Sequence, residues 1–213
     1  MEYNDLEPYE YYPCPIPMRT IGWLGPEYGV PGAAERPLSA QDLNALQSAS
    51  RHLSSIMLGT HDCEFCLGST VFEGNGEFHY YARRGTVYSA PMMILHYVGE
   101  HGYKPPREFL DCLDADRRLD WDWRADRLVT VLRDPLADLD FRCWAITDLP
   151  NWPDPRTWAA LRFAATDEML LDCAADDIAR SLHRLMPYEF AAGTPVEEFP
   201  DSIRYWLRER HRP

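Results

Sequence analysis

The segment His61-Asp62-Cys63-Glu64-Phe65-Cys66, followed downstream by Ile94-Leu95-His96-Tyr97-Val98-Gly99-Glu100-His101, decides the reading of this chain. Two cysteines separated by two residues can turn both sulfurs to one side of a tight loop, and imidazoles from a later helix can meet them there. Zinc asks for about four soft or borderline donors in a tetrahedron at roughly 2.0–2.3 Å, which thiolate sulfur and imidazole nitrogen supply. Cys63, Cys66 and His96 form the expected heart of such a site. His61, on the same loop as the cysteines, is the favoured fourth ligand. On a continuous helix His101 would sit ~500°, or about 140°, around from His96 and face elsewhere. It is therefore an alternate ligand, available if the helix breaks at Gly99 or Gly102, or a hydrogen-bonding neighbour of a ligand. Four protein donors leave no position for water, which favours a structural zinc over a catalytic one. The competing interpretations are bland: an isolated Cys-x-x-Cys is often incidental, and a redox pair normally opens a helix after a strand.

Working outward, residues 60–90 alternate short β-branched or aromatic runs with glycine-bearing turns: Thr70-Val71-Phe72, the turn Gly74-Asn75-Gly76, Phe78-His79-Tyr80-Tyr81, the turn Arg83-Arg84-Gly85, then Thr86-Val87-Tyr88. These predict two or three antiparallel strands. A helix is expected from Ser39 to about Leu58-Gly59, because Leu43, Leu46, Ala49, Leu53, Ile56 and Met57 recur at three- and four-residue spacing behind a Ser39/Asp42 start. Ser89-Ala90-Pro91 is expected to open a second helix, Met92 to His101, stopped by Gly102 and Pro105-Pro106. A short helix follows from Arg107 to Leu113. Residues 1–37 hold Ile21-Gly22-Trp23-Leu24 as their one compact apolar knot, so they predict an irregular arm packed on the body through Trp23 and Leu24. Tyr9, Tyr11 and Tyr12 within that arm predict a flexible tail or a partner-binding strip.

Beyond residue 113 the pattern is less distinct. Leu128–Leu132 fits a strand or a helix, and Phe141–Ile146 fits a strand. Helices are expected from Asp154-Pro155 to about Ala165, from Ala174 to Met186, and from Asp201 to Arg210. The fold class that emerges is α+β: an arm over 1–37, a zinc-knuckle, β-hairpin and helix module over 38–112, and a mostly helical region over 113–213 sharing or adjoining its core.

Composition bounds the function. With 46% hydrophobic residues and 8 Phe, 12 Tyr and 7 Trp in 213 residues, the chain is too aromatic to stay unfolded in water. Nothing approaches the ~20 apolar residues of a membrane span. Its 21 basic and 34 acidic residues give a net charge of −13, spread over both halves, which argues against binding a phosphate backbone. The first residues, MEYNDLEPYE, lack a basic start and an apolar core of a secretory signal, so a cytoplasmic setting is expected. Six cysteines are too few for a disulfide scaffold. Cys14, Cys112, Cys143 and Cys173 are expected to be small buried hydrophobes.

Residues 20–110 resemble a family of uncharacterised bacterial proteins. The resemblance rests on Ile21-Gly22-Trp23-Leu24, His61-x-Cys63-x-x-Cys66, Gly74-x-Gly76-Glu77, and the run Tyr88-x-Ala90-Pro91-x-x-Ile94-x-His96-Tyr97-Val98-x-x-His101-x-Tyr103-x-Pro105-Pro106-x-Glu108-Phe109. It implies a small metal-binding module with His61, Cys63, Cys66, His96 and His101 as functional positions, and it implies no reaction. The leading expectation is a zinc-stabilised cytoplasmic adaptor whose partner is another protein, without enzymatic activity. A metal-dependent hydrolase or nuclease, with His101, Glu100 or Glu108 as the acid–base group, is the alternative. A third is an acidic antitoxin or immunity-type protein that neutralises a basic partner. No His-Glu-x-x-His run, phosphate-cradling glycine loop or Gly-x-Ser-x-Gly elbow is present.

Overall fold

The computed structural model describes residues 2–27, 29–33, 36–66, 71–113 and 118–209. Thr70, at the start of an expected strand, and Arg210, the expected end of the last helix, lie outside them. The chain divides into two compact units, Met1–Arg117 and Arg118–Pro213. The first carries the sheet and the second is helical, giving an α+β protein.

In the first unit a mixed four-stranded sheet runs in the order β1 (Arg19–Thr20), β4 (Val87–Pro91), β3 (Glu73–Tyr81), β2 (Ser55–Asp62). β1 lies parallel to β4, and the other pairs are antiparallel. Alternation along β3 and β4 splits their side chains between two faces. Phe78, Tyr80, Tyr88 and Ala90 join one hydrophobic cluster with Leu46 of α1 (Ala40–Ala49), Ile94 and Tyr97 of α2 (Ile94–Glu100), and Phe109 of α3 (Arg107–Leu110). The Phe109 ring meets Tyr80 and Tyr88 edge-on, with centroids 5.0 and 5.4 Å apart. The other parity, Glu77, His79 and Ser89, forms a buried polar set. Tyr9 Oη and Ser89 Oγ each donate to the Glu77 carboxylate at 2.7 Å, His79 Nε2 lies 3.7 Å from it, and Trp23 Nε1 donates to the Ser89 carbonyl at 3.2 Å. A carboxylate removed from water needs such donors, and here they fasten the N-terminal arm to the sheet. Tyr9 is thus a buried anchor, where the sequence predicted a tail or a partner-binding strip.

Several sequence expectations are corrected here. The first helix ends at Ala49 with Ser50 as its cap, and Ile56 lies in β2 with its side chain 65% exposed. Its helical spacing from Leu53 was coincidental, because pairing with β3 decides the conformation there. Ser39 does cap α1, accepting from the Asp42 amide at 3.0 Å. Gly74-Asn75-Gly76 is not a turn: it runs through β3, and its glycines serve close approach. A Cβ on Gly76 would lie 2.7 Å from the Ser55 carbonyl oxygen, and one on Gly74 would lie 2.6 Å from Met93 Cγ. Gly76→Ala is expected to lower stability by about 1–3 kcal/mol, the range for overpacking, as read by urea unfolding. Pro91 closes β4 opposite Glu77 and does not open a helix. The Arg83-Arg84-Gly85 turn forms as expected, closed by the Ala82 amide on the Thr86 carbonyl at 2.8 Å.

The second unit contains α4 (Trp123–Arg133), α5 (Leu139–Asp148), α6 (Pro155–Ala164), α7 (Glu168–Leu185) and α8 (Asp201–Glu209). Both segments that could have been strands are helical. Around Leu128–Leu132 the buried positions are Ala125, Leu128, Val131 and Leu132, a helical face that a five-residue window conceals. Phe141–Ile146 lies inside α5, which begins at an Asp cap. Ala174, the expected start of a helix, is a kink within α7 (φ −140°, ψ 23°) that already begins at Glu168. Part of the acidic excess is now explained: Asp122, Asp138, Asp154 and Asp167 are N-caps whose side chains accept from backbone amides in the first turns of α4, α5, α6 and α7. Each such cap contributes about 1 kcal/mol. No described helix is long and apolar enough to cross a membrane.

Candidate metal centre

The loop after β2 carries Cys63 and Cys66. The Cys63 amide donates to the Phe72 carbonyl at 2.8 Å, and the Cys66 amide closes the turn on the Cys63 carbonyl at 3.3 Å. Across from this loop α2 supplies His96 from its first turn. The helix ends at Glu100; His101 caps it with φ −112°, and Gly102 follows at φ +71°, the left-handed region that glycine enters without strain.

Four donor atoms converge. His96 Nε2 lies 3.1 Å from His101 Nε2 and 3.3 Å from Cys66 Sγ. His101 Nε2 lies 3.3 Å from Cys63 Sγ and 3.6 Å from Cys66 Sγ. The donors of Cys63, Cys66, His96 and His101 all fall within 4.8 Å of one another. A tetrahedral zinc with ordinary bond lengths separates two nitrogens by about 3.3 Å, nitrogen and sulfur by about 3.6 Å, and two sulfurs by about 3.8 Å. Four of the six separations match to within a few tenths of an ångström and all fall within 4.8 Å, so these side chains could hold a metal ion. Two thiolates and two neutral imidazoles would also balance the charge of a divalent ion.

The surroundings favour the binding forms. Burial pushes the His96 imidazole below its ordinary value, His101 adds to this and Glu100 opposes it, so His96 holds its proton less readily and the neutral ligating form extends to lower pH. Burial pushes the Cys63 thiol up, while the Phe65 and Cys66 amides aimed at its sulfur pull the other way. A cation entering the site must therefore displace a thiol proton. Phe72 stacks on the His96 ring with centroids 4.4 Å apart and planes 8° from parallel, and Phe65 leans on His101 at 5.8 Å. Sequence patterning missed both rings; their adjacency to the loop was the only available signal.

Of the five residues singled out from the sequence, four meet and His61 does not. His61 sits on β2 opposite Gly74, exposed, and is not among the converging donors. His101 takes the fourth place in the converging set: it caps α2, its amide still bonded to the Tyr97 carbonyl, and its ring nevertheless comes within 3.1 Å of His96 Nε2, so the rotation between the two positions does not keep the rings apart. Glu100 is exposed at the end of α2, and Glu108 is tied to Arg19 at 2.6 Å, leaving neither in the converging set. Of the other cysteines, Cys14, Cys112 and Cys143 are half-buried and Cys173 is exposed, so the expectation of four buried thiols fails, and Cys143 and Cys173 lie with sulfurs 4.0 Å apart.

No curated protein and no solved structure matches the chain. A family model described as Domain of unknown function (DUF7919) matches residues 1–114, which include the arm, the whole sheet and all four converging donors. With more than half of its 213 residues so matched, the chain belongs to that family.

Proposed function

We propose that Cys63, Cys66, His96 and His101 bind one zinc ion that staples the loop after β2 to the C-terminal end of α2, and that the protein is a zinc-stabilised, non-enzymatic adaptor acting on another protein. The observation that carries this reading is the convergence of four donor atoms, four of their separations lying between 3.1 and 3.6 Å and all within 4.8 Å. A tetrahedron filled by protein has no open position from which a bound water could attack a substrate, which weighs against the hydrolase reading. The net charge of −13 favours a protein partner over nucleic acid. Two ligating thiolates fit a reducing, cytoplasmic setting.

Two measurements test the reading. Elemental analysis of the purified chain is expected to give one zinc per molecule in the wild type and in His61→Ala, and clearly less in His101→Ala. Equal zinc in both variants would return the fourth ligand to doubt, and loss in His61→Ala alone would reverse the assignment. In the cobalt-substituted protein, added azide is expected to leave the visible spectrum unchanged. An azide-dependent shift would reveal an exchangeable position and favour the hydrolase.

A further inference from the structure

Beside the metal loop, the arm, the β2–β3 pair and the link from β4 to α2 enclose a cavity of ≈ 610 Å³. That volume falls within the range of small-molecule sites, roughly 300–1,000 Å³. Its walls are of two kinds. Tyr11 and Trp23, with ring centroids 5.6 Å apart, and Met92 provide an aromatic and thioether side. Asp62, Glu64 and Glu77 provide carboxylates. Among the described residues lining the cavity there is no Arg and no Lys.

We infer that this cavity is a binding site for an organic cation, an amine or guanidinium group carried on an apolar body. Three carboxylates with no Arg or Lys beside them, and His61 as the one imidazole in the lining, give the interior a negative balance that attracts cations, and the low-dielectric walls concentrate that field. The Trp23 and Tyr11 rings in the lining add attraction for the same charge wherever it meets a ring face, where the quadrupole is negative. Met92 and the ring edges supply apolar surface for the body of the ligand.

Glu77 is the most telling of the three acids. Its side chain is only 1% exposed, and it is held by Tyr9 Oη and Ser89 Oγ, one on each oxygen. With His79 Nε2 3.7 Å away as well, this carboxylate is fixed within the wall, and its charge acts on the cavity as a field and not through an exposed oxygen. Asp62 and Glu64 are exposed and stand on the solvent side, where they would meet the charged group on entry. The site shares the Tyr97 wall with the region of the metal centre but uses none of the four converging donors, so its occupancy can be scored separately from zinc.

The test uses the full zinc-loaded chain and three probes of matched shape: phenethylammonium, neutral phenethyl alcohol and anionic phenylacetate. Isothermal titration calorimetry is expected to show saturable one-to-one binding of the ammonium, with the alcohol about ten-fold weaker or more and phenylacetate not bound. The double variant Asp62→Asn/Glu64→Gln is expected to weaken the ammonium about ten-fold while keeping its zinc by elemental analysis. If that variant loses zinc, Tyr11→Leu, which touches no converging donor, carries the test through the aromatic wall, with weakened ammonium binding expected. Equal binding of the three probes, no saturable binding of the ammonium, or wild-type affinity in the zinc-retaining variant would each overturn the proposal.

Discussion

Cys63→Ser is expected to lose zinc and to unfold the sheet unit in the same experiment. A serine oxygen is a hard, protonated group at neutral pH and does not replace a thiolate in a zinc tetrahedron. Structural zinc contributes about 10–16 kcal/mol in small zinc-finger peptides, as much as or more than the ~5–15 kcal/mol total stability of a typical domain. The geometry explains why loss should spread beyond the loop. The proposed zinc would tie the loop after β2 to α2, and α2 in turn supplies Ile94 and Tyr97 to the cluster that holds Phe78, Tyr80 and Phe109. Hydrogen exchange should show lost protection across β2, β3, β4 and α2, with a matching fall in Tm. Cys112→Ser is the control, because that thiol donates to the Glu108 carbonyl at 3.2 Å, is not among the four converging donors, and should keep full zinc. A Cys63→Ser protein with wild-type zinc and Tm would refute the role assigned to the centre.

The second large effect lies in the helical unit and owes nothing to metal. Asp167 caps α7, accepting from the Leu170 amide at 3.1 Å, and its carboxylate pairs with the Arg142 guanidinium. Arg142 is 1% exposed, and its Nε also donates at 3.1 Å to the Leu132 carbonyl in the last turn of α4. One guanidinium thus joins the end of α4, the body of α5 and the start of α7. Asp167→Ala removes a cap and strands a buried cation, so it should cost about 3–5 kcal/mol, measured by urea unfolding. Arg142→Met combined with Asp167→Ala should recover part of the loss, because an apolar side chain of similar length carries no charge to strand.

The same pair sets an acid response. Burial alone would raise the Asp167 pKa, but the Arg142 hydrogen bond and the Leu170 and Met169 amides outweigh it, leaving the value below the ordinary 3.8. A group whose pKa is lowered by folding contributes its full stability above the unfolded value and loses it as pH falls through the folded one. Wild-type stability should therefore decline below about pH 4 partly through this residue, and Asp167→Ala should show a shallower acid dependence. Identical slopes in the two proteins would remove Asp167 from the acid transition.

Much of the candidate metal centre was legible in the sequence because ligand chemistry is local. The x2 spacing of Cys63 and Cys66 and the downstream imidazoles state the donor types without reference to the fold. What was not legible was which histidine completes the set. That depends on how the rings of His96 and His101 turn toward each other at the end of α2, which residue spacing does not state. The glycines of β3 misled for a related reason. Glycine serves both turns and close backbone approaches, and the carbonyl that excludes a Cβ at Gly76 belongs to Ser55 on another strand. The helical unit was underread because its caps are aspartates in an acidic chain, where a capping carboxylate and a solvated one look alike. Asp154 stood out only through the proline after it.

The most direct test of the central claim is X-ray absorption at the zinc edge on the purified full-length protein. The account requires a four-coordinate first shell of two sulfurs at about 2.3 Å and two imidazole nitrogens at about 2.0 Å, the nitrogens lost selectively in a His96→Ala/His101→Ala variant. A shell of oxygen and nitrogen without sulfur, or zinc absent from protein that is nonetheless fully folded, would contradict it.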